Sequence, residues 1–248
     1  MGEAWIVPDW GAPANVGAAV STRLGPGVSV PPYDRLNLGL RSGDDPVAVT
    51  ANRAALSLAL DLPVPPLWLH QVHGTDVADA DRVTGSGEEP VADAAVARGP
   101  GKALAILTAD CLPVLFASAD GGTIGAAHAG WRGLAAGVLE NTITRMGMPP
   151  GSLLAWLGPA IGGVSYEVGA EVRAAFVERD SAADEAFMPT RPGHWTCDLY
   201  VLARRRLAAA GVTQISGGGF DTFRDERLYS YRRDGVSSGR FASLVWTR

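Results

Sequence analysis

The segment ALAILTADCLPVLFASADGGTIGAAHAGWRG, residues 103–133, contains apolar runs on both sides of a short polar turn. Residues 103–108 and 112–117 are predicted as buried strands, and residues 119–122 (ADGG) form a turn that joins antiparallel strands. The chain then returns along residues 123–128. Centring the pairing on this turn sets residue 118 opposite residue 123. The segment therefore predicts a buried β-hairpin.

This register brings two metal-binding residue types to the open end of the hairpin. It places Cys111 near Gly130 and His128 near Pro113, so the thiol and the imidazole lie within about two residues of each other across the strands. Cysteine and histidine are the side chains that zinc prefers. A hairpin with a buried cysteine and a hydrogen-bonded histidine is the alternative interpretation.

A third candidate ligand follows residues 67–72 (LWLHQV), which are predicted as a strand. His73 ends that strand, and Gly74 directly after it permits a sharp turn. If the strand lies beside the hairpin, His73 converges with Cys111 and His128. Three protein ligands with an open fourth position are typical of catalytic zinc.

A structural zinc site would need a fourth protein ligand. Cys197 and His70 are the candidates, but neither is expected at a comparable strand end. The pattern therefore favours a catalytic metal site over a structural one.

The composition is that of a globular enzyme. The 248 residues fit one large α/β domain or two small ones, with 47% hydrophobic and 19% charged residues. A formal net charge of -5 gives no general attraction to a phosphate backbone, so nucleic acid is not an expected partner.

The sequence also predicts a cytoplasmic location without a membrane segment. The first ten residues lack the basic region and apolar run of a signal peptide, and no stretch approaches the ~18 apolar residues of a membrane span. The two cysteines do not make a disulfide framework, which favours a reducing compartment.

The remaining segments predict further helices and strands without a regular βαβ alternation, and hence an α/β sandwich with a mixed or largely antiparallel sheet. Residues 83–91 are predicted as a mobile surface loop. The predicted helices are 45–60, 131–146, 167–179 and 198–209, and the predicted strands are 153–157, 214–216, 228–232 and 241–247.

Several segments together resemble the laccase-domain family, which is also described as multicopper polyphenol oxidase-like, peptidoglycan editing factor and purine nucleoside phosphorylase. They run in order over nearly the whole chain, and AHAGWRG preceded by ADCLPV is a highly specific combination. The matching segments are Thr22-Arg23, Asn37-Leu38-Gly39, Gly43-Asp44-Asp45, Asn52-Arg53, HQVHGTDV (70–77), TADCLPVLF (108–116), AAHAGWRG (126–133), GPAIGGVSYEVG (158–169), Asp198-Leu199 and YSYRRDGVSSGRFAS (229–243).

The resemblance implies one domain over residues 1–248 with a four-layer α/β sandwich fold. It implies zinc on His73, Cys111 and His128, and enzymes that phosphorolyse adenosine, inosine and 5′-methylthioadenosine and deaminate adenosine. Copper-dependent phenol oxidation, also attached to the family, ranks lower, because four histidines cannot hold a multicopper cluster.

Phosphorolysis requires a phosphate site as well as a purine site. Residues 130–133 open a predicted helix just after His128, so Arg132 and free backbone amides are candidates to bind phosphate. Arg23 is a second candidate, on the resemblance alone. Each arginine has the alternative of being solvated or ion-paired. Asn37 can hydrogen-bond substrate or cap a turn.

Two further acidic positions bear on the chemistry. Asp110 is a candidate proton donor for deamination, with a strand-end residue that bonds backbone amides as the alternative. At Asp221-Thr222 the chain departs from the family, which often has Cys-Thr there, and Asp221 is interpreted as structural. The alternating residues 229–233 are given no role in the site.

Three functions compete. The first is a zinc-dependent purine nucleoside phosphorylase with adenosine deaminase activity, which takes a purine nucleoside and phosphate. The second is a Cys–His hydrolase or deamidase, with Cys111 as nucleophile and His128 as base. The third is a non-catalytic editing factor in cell-wall synthesis that acts through a protein partner. His73 favours the first, because a Cys–His pair needs no third ligand.

Overall fold

The structure is a computed structural model that describes residues 4–83 and 87–248. Its strands are Trp5–Ile6 (β1), Val16–Ser21 (β2), Val77–Asp79 (β3), Ala94–Arg98 (β4), Lys102–Thr108 (β5), Leu112–Ser118 (β6), Thr123–Ala129 (β7), Leu153–Leu157 (β8), Glu167–Gly169 (β9), Phe187–Pro189 (β10), His194–Cys197 (β11), Gln214–Gly217 (β12) and Phe241–Thr247 (β13). The α-helices are Pro46–Ala59 (α1), Trp131–Ala136 (α2), Val138–Met146 (α3), Ala170–Val177 (α4), Leu199–Ala209 (α5) and Tyr231–Asp234 (α6).

The strands form two large sheets and one small one. The order is β12-β8-β6-β7-β4-β3 in the six-stranded sheet, β1-β2-β13-β5 in the four-stranded sheet and β10-β11-β9 in the third. Neighbouring strands are antiparallel except for the parallel pairs β12–β8 and β3–β4. This arrangement confirms the predicted mixed, largely antiparallel α/β fold.

The two large sheets pack face to face and are covered by helices on their outer faces. Alternate residues of β5 point in opposite directions: Leu104 and Ile106 belong to the core between the sheets, whereas Ala103 and Ala105 pack with Leu56 of α1. On the outer side of the six-stranded sheet, α3 and α5 pack over β6, β7 and β8. The layers are therefore helix, sheet, sheet and helix, as the four-layer prediction requires.

The hairpin forms in the predicted register, with Pro113 opposite His128 and Leu112 opposite Ala129. Every residue of β6 and β7 is buried, because one face packs against the four-stranded sheet and the other against helices. This double burial explains why both strands read as continuous apolar runs.

The predicted strand over residues 67–72 is wrong. The segment makes only isolated bridges, from Leu67 to Leu104 of β5 and from His70 to Val91. It passes from the four-stranded sheet toward the six-stranded one, so it cannot pair along either for more than one residue. The Gln71 side chain replaces part of the missing ladder, since its amide both donates to the carbonyl and accepts from the N–H of Leu107.

Two predicted helices are interrupted. The helix over residues 131–146 divides at Gly137, whose φ of 110° lies in the left-handed region and ends α2 before α3 begins. The helix over residues 167–179 starts as strand β9, and only residues 170–177 are α-helical. The predicted starts of the helices over residues 45–60 and 198–209 are confirmed, since Asp45 caps α1 and Asp198 caps α5.

The predicted closing strand over residues 228–232 is also wrong. Ser230 caps the short helix α6, its hydroxyl accepting a hydrogen bond from the Arg233 N–H, and Gly235 ends that helix.

Of the predicted mobile loop, residues 84–86 lie outside the described part of the chain. Among the residues that are described, no helix is both long and apolar enough to span a membrane.

Candidate functional site

His73, Cys111 and His128 meet at the open end of the hairpin. Their candidate ligand atoms all lie within 4.8 Å of one another, and the Cys111 Sγ is 3.8 Å from the His73 Nε2. The two imidazole rings stand edge to face with their centroids 4.8 Å apart. The structure therefore brings together the three predicted metal ligands, from the 67–74 segment, the β5–β6 turn and β7.

Backbone conformation aims two of these ligands. His73 has a φ of 61°, and Asp110, directly before Cys111, has a φ of 96°. Non-glycine residues seldom occupy this left-handed region, and where they do the surrounding contacts must hold them there. Each sharp turn directs its ligand into the space in front of His128.

The Asp93 carboxylate accepts hydrogen bonds from both histidine-bearing segments. Its Oδ1 is 2.8 Å from the His128 Nδ1 and 2.9 Å from the His73 backbone nitrogen. Its Oδ2 accepts from the backbone N–H groups of Val72, at 3.1 Å, and Gly74, at 2.6 Å. Because the Nδ1 of His128 is engaged, only its Nε2 is free to bind a metal.

Gly130 leaves the space in which the ligands meet. A Cβ at this position would lie 3.0 Å from both the Cys111 Sγ and the His73 Cδ2, which is tighter than ordinary packing allows. The glycine in the AHAG motif is thus required by the close approach of two ligands. This requirement was visible in the sequence only as a helix-opening glycine.

The local charges favour a thiolate. Burial opposes ionisation of the Cys111 thiol, but the charge of His128 and hydrogen bonds from His128 and His73 outweigh it and lower the pKa of Cys111 to about 6. Burial likewise disfavours the His128 imidazolium, yet the Cys111 thiolate and the Asp93 carboxylate raise its pKa to about 9. Cysteine is therefore held as the anion that binds a metal.

The donor set fits one zinc ion. Two imidazoles and a thiolate are borderline-soft ligands that zinc accepts, and three of them leave a fourth position toward the cavity. The described residues offer no fourth ligand at this point, since His70 and Cys197 are not part of the group. Cys197 lies buried in the helix-side core, and burial raises the pKa of its thiol.

A cavity of about 580 Å³ opens directly over the three ligands. This volume is within the range of small-molecule sites. Its wall carries the side chains of four arginines and one aspartate, so positive charge predominates; these are Arg41, Arg132, Arg232, Arg240 and Asp110. A negatively charged ligand is favoured by this wall.

Arg132 is the arginine of this wall with the fewest internal contacts. Its guanidinium lies 4.4 Å from the centre of the Trp131 ring and has no hydrogen-bond or ion-pair partner within the described residues. It is therefore free to bind an anion. The helix that it opens, α2, has only six residues, so the guanidinium is a stronger basis for anion binding than the helix terminus.

The other two predicted substrate residues do not line this cavity. Arg23 pairs with the Asp34 carboxylate at 3.1 Å, and its guanidinium lies 4.9 Å from the centre of the Tyr229 ring. Asn37 is fully buried, donates to Ser42 and Asp44, and accepts from the backbone N–H of Arg240. Asn37 thus contacts three residues of the cavity wall from behind, Gly39, Ser42 and Arg240.

Sequence reasoning missed the contribution of α6. Tyr231 and Arg232 line the cavity, and Arg232 also donates to the Glu167 carbonyl at 3.0 Å and lies over the Tyr166 ring. The signal was present: Ser230 and Gly235 bracket these residues as an N-cap and a helix stop. The alternating pattern over residues 229–233 suggested a strand instead.

Asp110 connects the Cys111 turn to the far wall of the cavity. Its Oδ1 accepts from the Thr222 hydroxyl at 2.6 Å, and its Oδ2 accepts from the Arg232 backbone N–H at 2.6 Å. These bonds support the structural alternative for this residue. The neighbouring Asp221 accepts from the Gly162 N–H and the Ser165 hydroxyl, and so joins two loops.

Comparison with known proteins identifies the relationship. A model of the family described as multi-copper polyphenol oxidoreductase laccase matches residues 17–248. The chain belongs to this family. Members of the family are thus the appropriate reference for its fold and site.

Curated relatives cover nearly the whole chain. A protein of Xylella fastidiosa named purine nucleoside phosphorylase is 54% identical over 252 residues, covering 98% of this chain and 96% of the relative. A Pseudomonas aeruginosa protein of the same name is 54% identical over 247 residues, with 98% of each covered. The crystal structure of Neisseria meningitidis protein NMB0706 superposes with a TM-score of 0.93 at 45% identity, covering 98% of this chain and 99% of that one.

Proposed function

We propose that the protein is a zinc-dependent purine nucleoside phosphorylase that acts on adenosine, inosine and 5′-methylthioadenosine and also deaminates adenosine. The observation that carries the proposal is the position of the three-ligand group at the floor of a cavity whose wall is rich in arginine. The names of the curated relatives, at 54% identity over nearly the full length, support the same reaction.

His73, Cys111 and His128 would hold the zinc. When bound, the ion supplies a Lewis acid that stabilises negative charge developing on a substrate atom. The ligands themselves keep the reacting end of the cavity rigid, because each is fixed by a turn or a buried hydrogen bond. Copper on the same three ligands is the less favoured alternative, since the chain has only four histidines for a multicopper centre.

The arginines would bind the attacking phosphate. In phosphorolysis a phosphate oxygen forms a bond to C1′ of the ribose while the bond from C1′ to the purine nitrogen breaks, and solvent supplies the proton that the purine takes up. The products are the free base and ribose 1-phosphate. Arg132, which has no hydrogen-bond or ion-pair partner among the described residues, would hold the phosphate, and Arg232 lies on the same cavity wall.

Incubation with inosine and phosphate tests the proposal. We expect hypoxanthine and ribose 1-phosphate in equal amounts, and no base release without phosphate. Equal release without phosphate would indicate a nucleoside hydrolase. If metal-loaded protein consumes neither inosine nor adenosine, the nucleoside assignment is wrong. The alternative of a cell-wall editing factor is then favoured.

A second candidate function has its own supporting observation. The low pKa of Cys111 and the high pKa of His128 describe a thiolate–imidazolium pair, which is the reactive form of a Cys–His hydrolase or deamidase. The two functions are separated by metal removal. If the metal-free protein still turns over inosine at the full rate, the Cys–His enzyme is favoured. If turnover is lost on metal removal and returns when zinc is added, the phosphorylase is favoured.

A further inference from the structure

Asp93 is the one buried carboxylate, within the described residues, that contacts the segments of two metal ligands. Its side chain has no solvent exposure. It precedes β4, so the neighbouring strand β7 brings His128 to it, and the 72–74 turn folds over its other side. A carboxylate buried so completely is tolerated only when hydrogen bonds replace the water that it has lost.

The hydrogen bonds of Asp93 account for both of its oxygens. Each oxygen accepts two: Oδ1 from His128 and from the His73 backbone, and Oδ2 from the backbones of Val72 and Gly74. The main chain adds a fifth link, because the Asp93 carbonyl accepts from the His128 N–H at 2.7 Å. One residue therefore holds the ring and the backbone of His128 together with the turn that carries His73.

These contacts determine what each histidine can offer. The acceptor at the Nδ1 of His128 selects the tautomer in which Nδ1 carries the proton and Nε2 is the free donor atom. The three backbone contacts hold His73 in its left-handed conformation, and its Nε2 is thereby directed at the Cys111 Sγ.

We propose that Asp93 is a positioning residue that sets two of the three metal ligands at once. It pre-organises His73 and His128 around a common point, so that a metal meets a formed site. The proposal rests on the metal centre of the proposed function. It adds a residue that does not itself touch the metal and that couples two ligands distant in sequence.

The test compares metal affinity in the wild type and in Asp93→Asn, an isosteric variant that loses the charge and can match only part of the donor set. Metal-free proteins are titrated with Zn²⁺ against a competing chromophoric chelator, and with Co²⁺ followed by its visible absorption. We expect Asp93→Asn to bind Zn²⁺ about 10–100-fold more weakly. We also expect it to lose the intense visible bands of four-coordinate Co²⁺.

Asp120→Asn is the matched control. Asp120 also accepts a backbone hydrogen bond on the same hairpin, from Gly122, but lies at its closed end. Its zinc affinity should equal that of the wild type within about twofold, well inside the 10–100-fold effect expected at Asp93. An Asp93→Asn variant with wild-type affinity and Co²⁺ spectrum, and only a lowered melting temperature, would overturn the positioning role.

A measurement on the wild type covers the case in which Asp93→Asn does not fold. With ¹⁵N-labelled histidine in the zinc-loaded protein, the Nδ1 of His128 should carry a proton and its Nε2 should bind the metal. Metal on Nδ1 would overturn the proposal. Failure of the wild type to bind Zn²⁺ or Co²⁺ tightly would overturn the metal centre as a whole, whereas failure of Asp93→Asn to differ overturns the Asp93 role alone.

Discussion

The Cys111 Sγ lies 3.8 Å from the His73 Nε2, although 38 residues separate the two along the chain. Gly130 faces both, and a methyl group there would contact each at 3.0 Å. The two ligands can therefore lie this close only because Gly130 has no side chain between them. The first prediction follows from this crowding.

Replacing Gly130 by Ala should weaken zinc binding by about tenfold or more, in the range found when the surroundings of metal ligands are disturbed. The added methyl pushes the thiolate and the His73 ring apart. Gly151→Ala is the control, because a Cβ there meets no atom within 4 Å. Zinc titration against a chelator measures both. Unchanged affinity in Gly130→Ala would show that the ligands adjust freely.

Alkylation of Cys111 should depend on pH and on metal. In the metal-free protein the pKa of Cys111 is lowered to about 6 from 9.0, so the thiolate persists above pH 6 and is lost below it. The iodoacetamide rate should therefore rise through pH 6 and level off by about pH 7.5, well below the range of an ordinary thiol. Bound zinc should suppress the reaction.

Cys197 provides the internal reference for this experiment. It is fully buried, and burial raises the pKa of its thiol, so it should stay unmodified in the folded protein. Mass spectrometry of the alkylated peptides distinguishes the two cysteines. Fast alkylation of Cys111 in zinc-loaded protein, with loss of activity, would instead favour the Cys–His enzyme.

Replacing Arg132 by Ala should raise the KM for phosphate more than the KM for inosine. The change removes one charge-assisted contact worth about 1.5–3 kcal/mol, or roughly 10- to 150-fold in affinity. Arg82→Ala is a suitable control, since Arg82 lies on the exposed surface and outside the cavity. Steady-state kinetics with each substrate varied in turn would decide. Equal effects on both substrates contradict a phosphate role.

Replacing His73 by Ala should remove tightly bound zinc and lower turnover with every purine substrate. Two protein ligands remain, and zinc sites in enzymes ordinarily keep three. Metal analysis of protein purified without added metal measures the first effect. The neighbouring His70→Ala should retain its zinc, because His70 is not part of the ligand group. Full metal content in His73→Ala would remove His73 from the site.

Asp221→Ala should lower the free energy of unfolding by about 1–3 kcal/mol, the cost of leaving partly buried donors without an acceptor. The carboxylate accepts from the Gly162 N–H and the Ser165 hydroxyl and so joins the 162–165 loop to the 221–223 loop. Ser165→Ala should cost less, because it removes one of these contacts. Urea unfolding measures both. Equal stability of Asp221→Ala and wild type would refute the structural interpretation.

Short-range sequence patterns predicted most of the helices and strands. The register of the hairpin followed from the ADGG turn, and the starts of the helices over residues 45–60 and 198–209 were also predicted correctly. The four-layer arrangement was implied by the family resemblance. Features that depend on contacts distant in sequence were missed: residues 67–72 looked like a strand, but they make only isolated bridges to Leu104 and Val91.

The metal ligands could be predicted because each stands where a strand or a strand-like segment ends, beside a turn. Of the cavity wall, Arg132 was predicted, but Tyr166 and Arg240 could not be, since they reach the wall from the 162–166 loop and from the residue before β13. Asp93 left no signal either. Its partners are backbone N–H groups and a histidine 35 residues away, and no spacing rule connects them.

The 67–74 segment, which carries His73, has a consequence for how a metal reaches the site. Isolated bridges at Leu67 and His70, the Gln71 side chain and the Asp93 carboxylate attach this segment to its surroundings, whereas β6 and β7 belong to continuous ladders. It can therefore open by local unfolding while both large sheets stay intact. The exchange of zinc should follow the rate of this opening, not that of global unfolding.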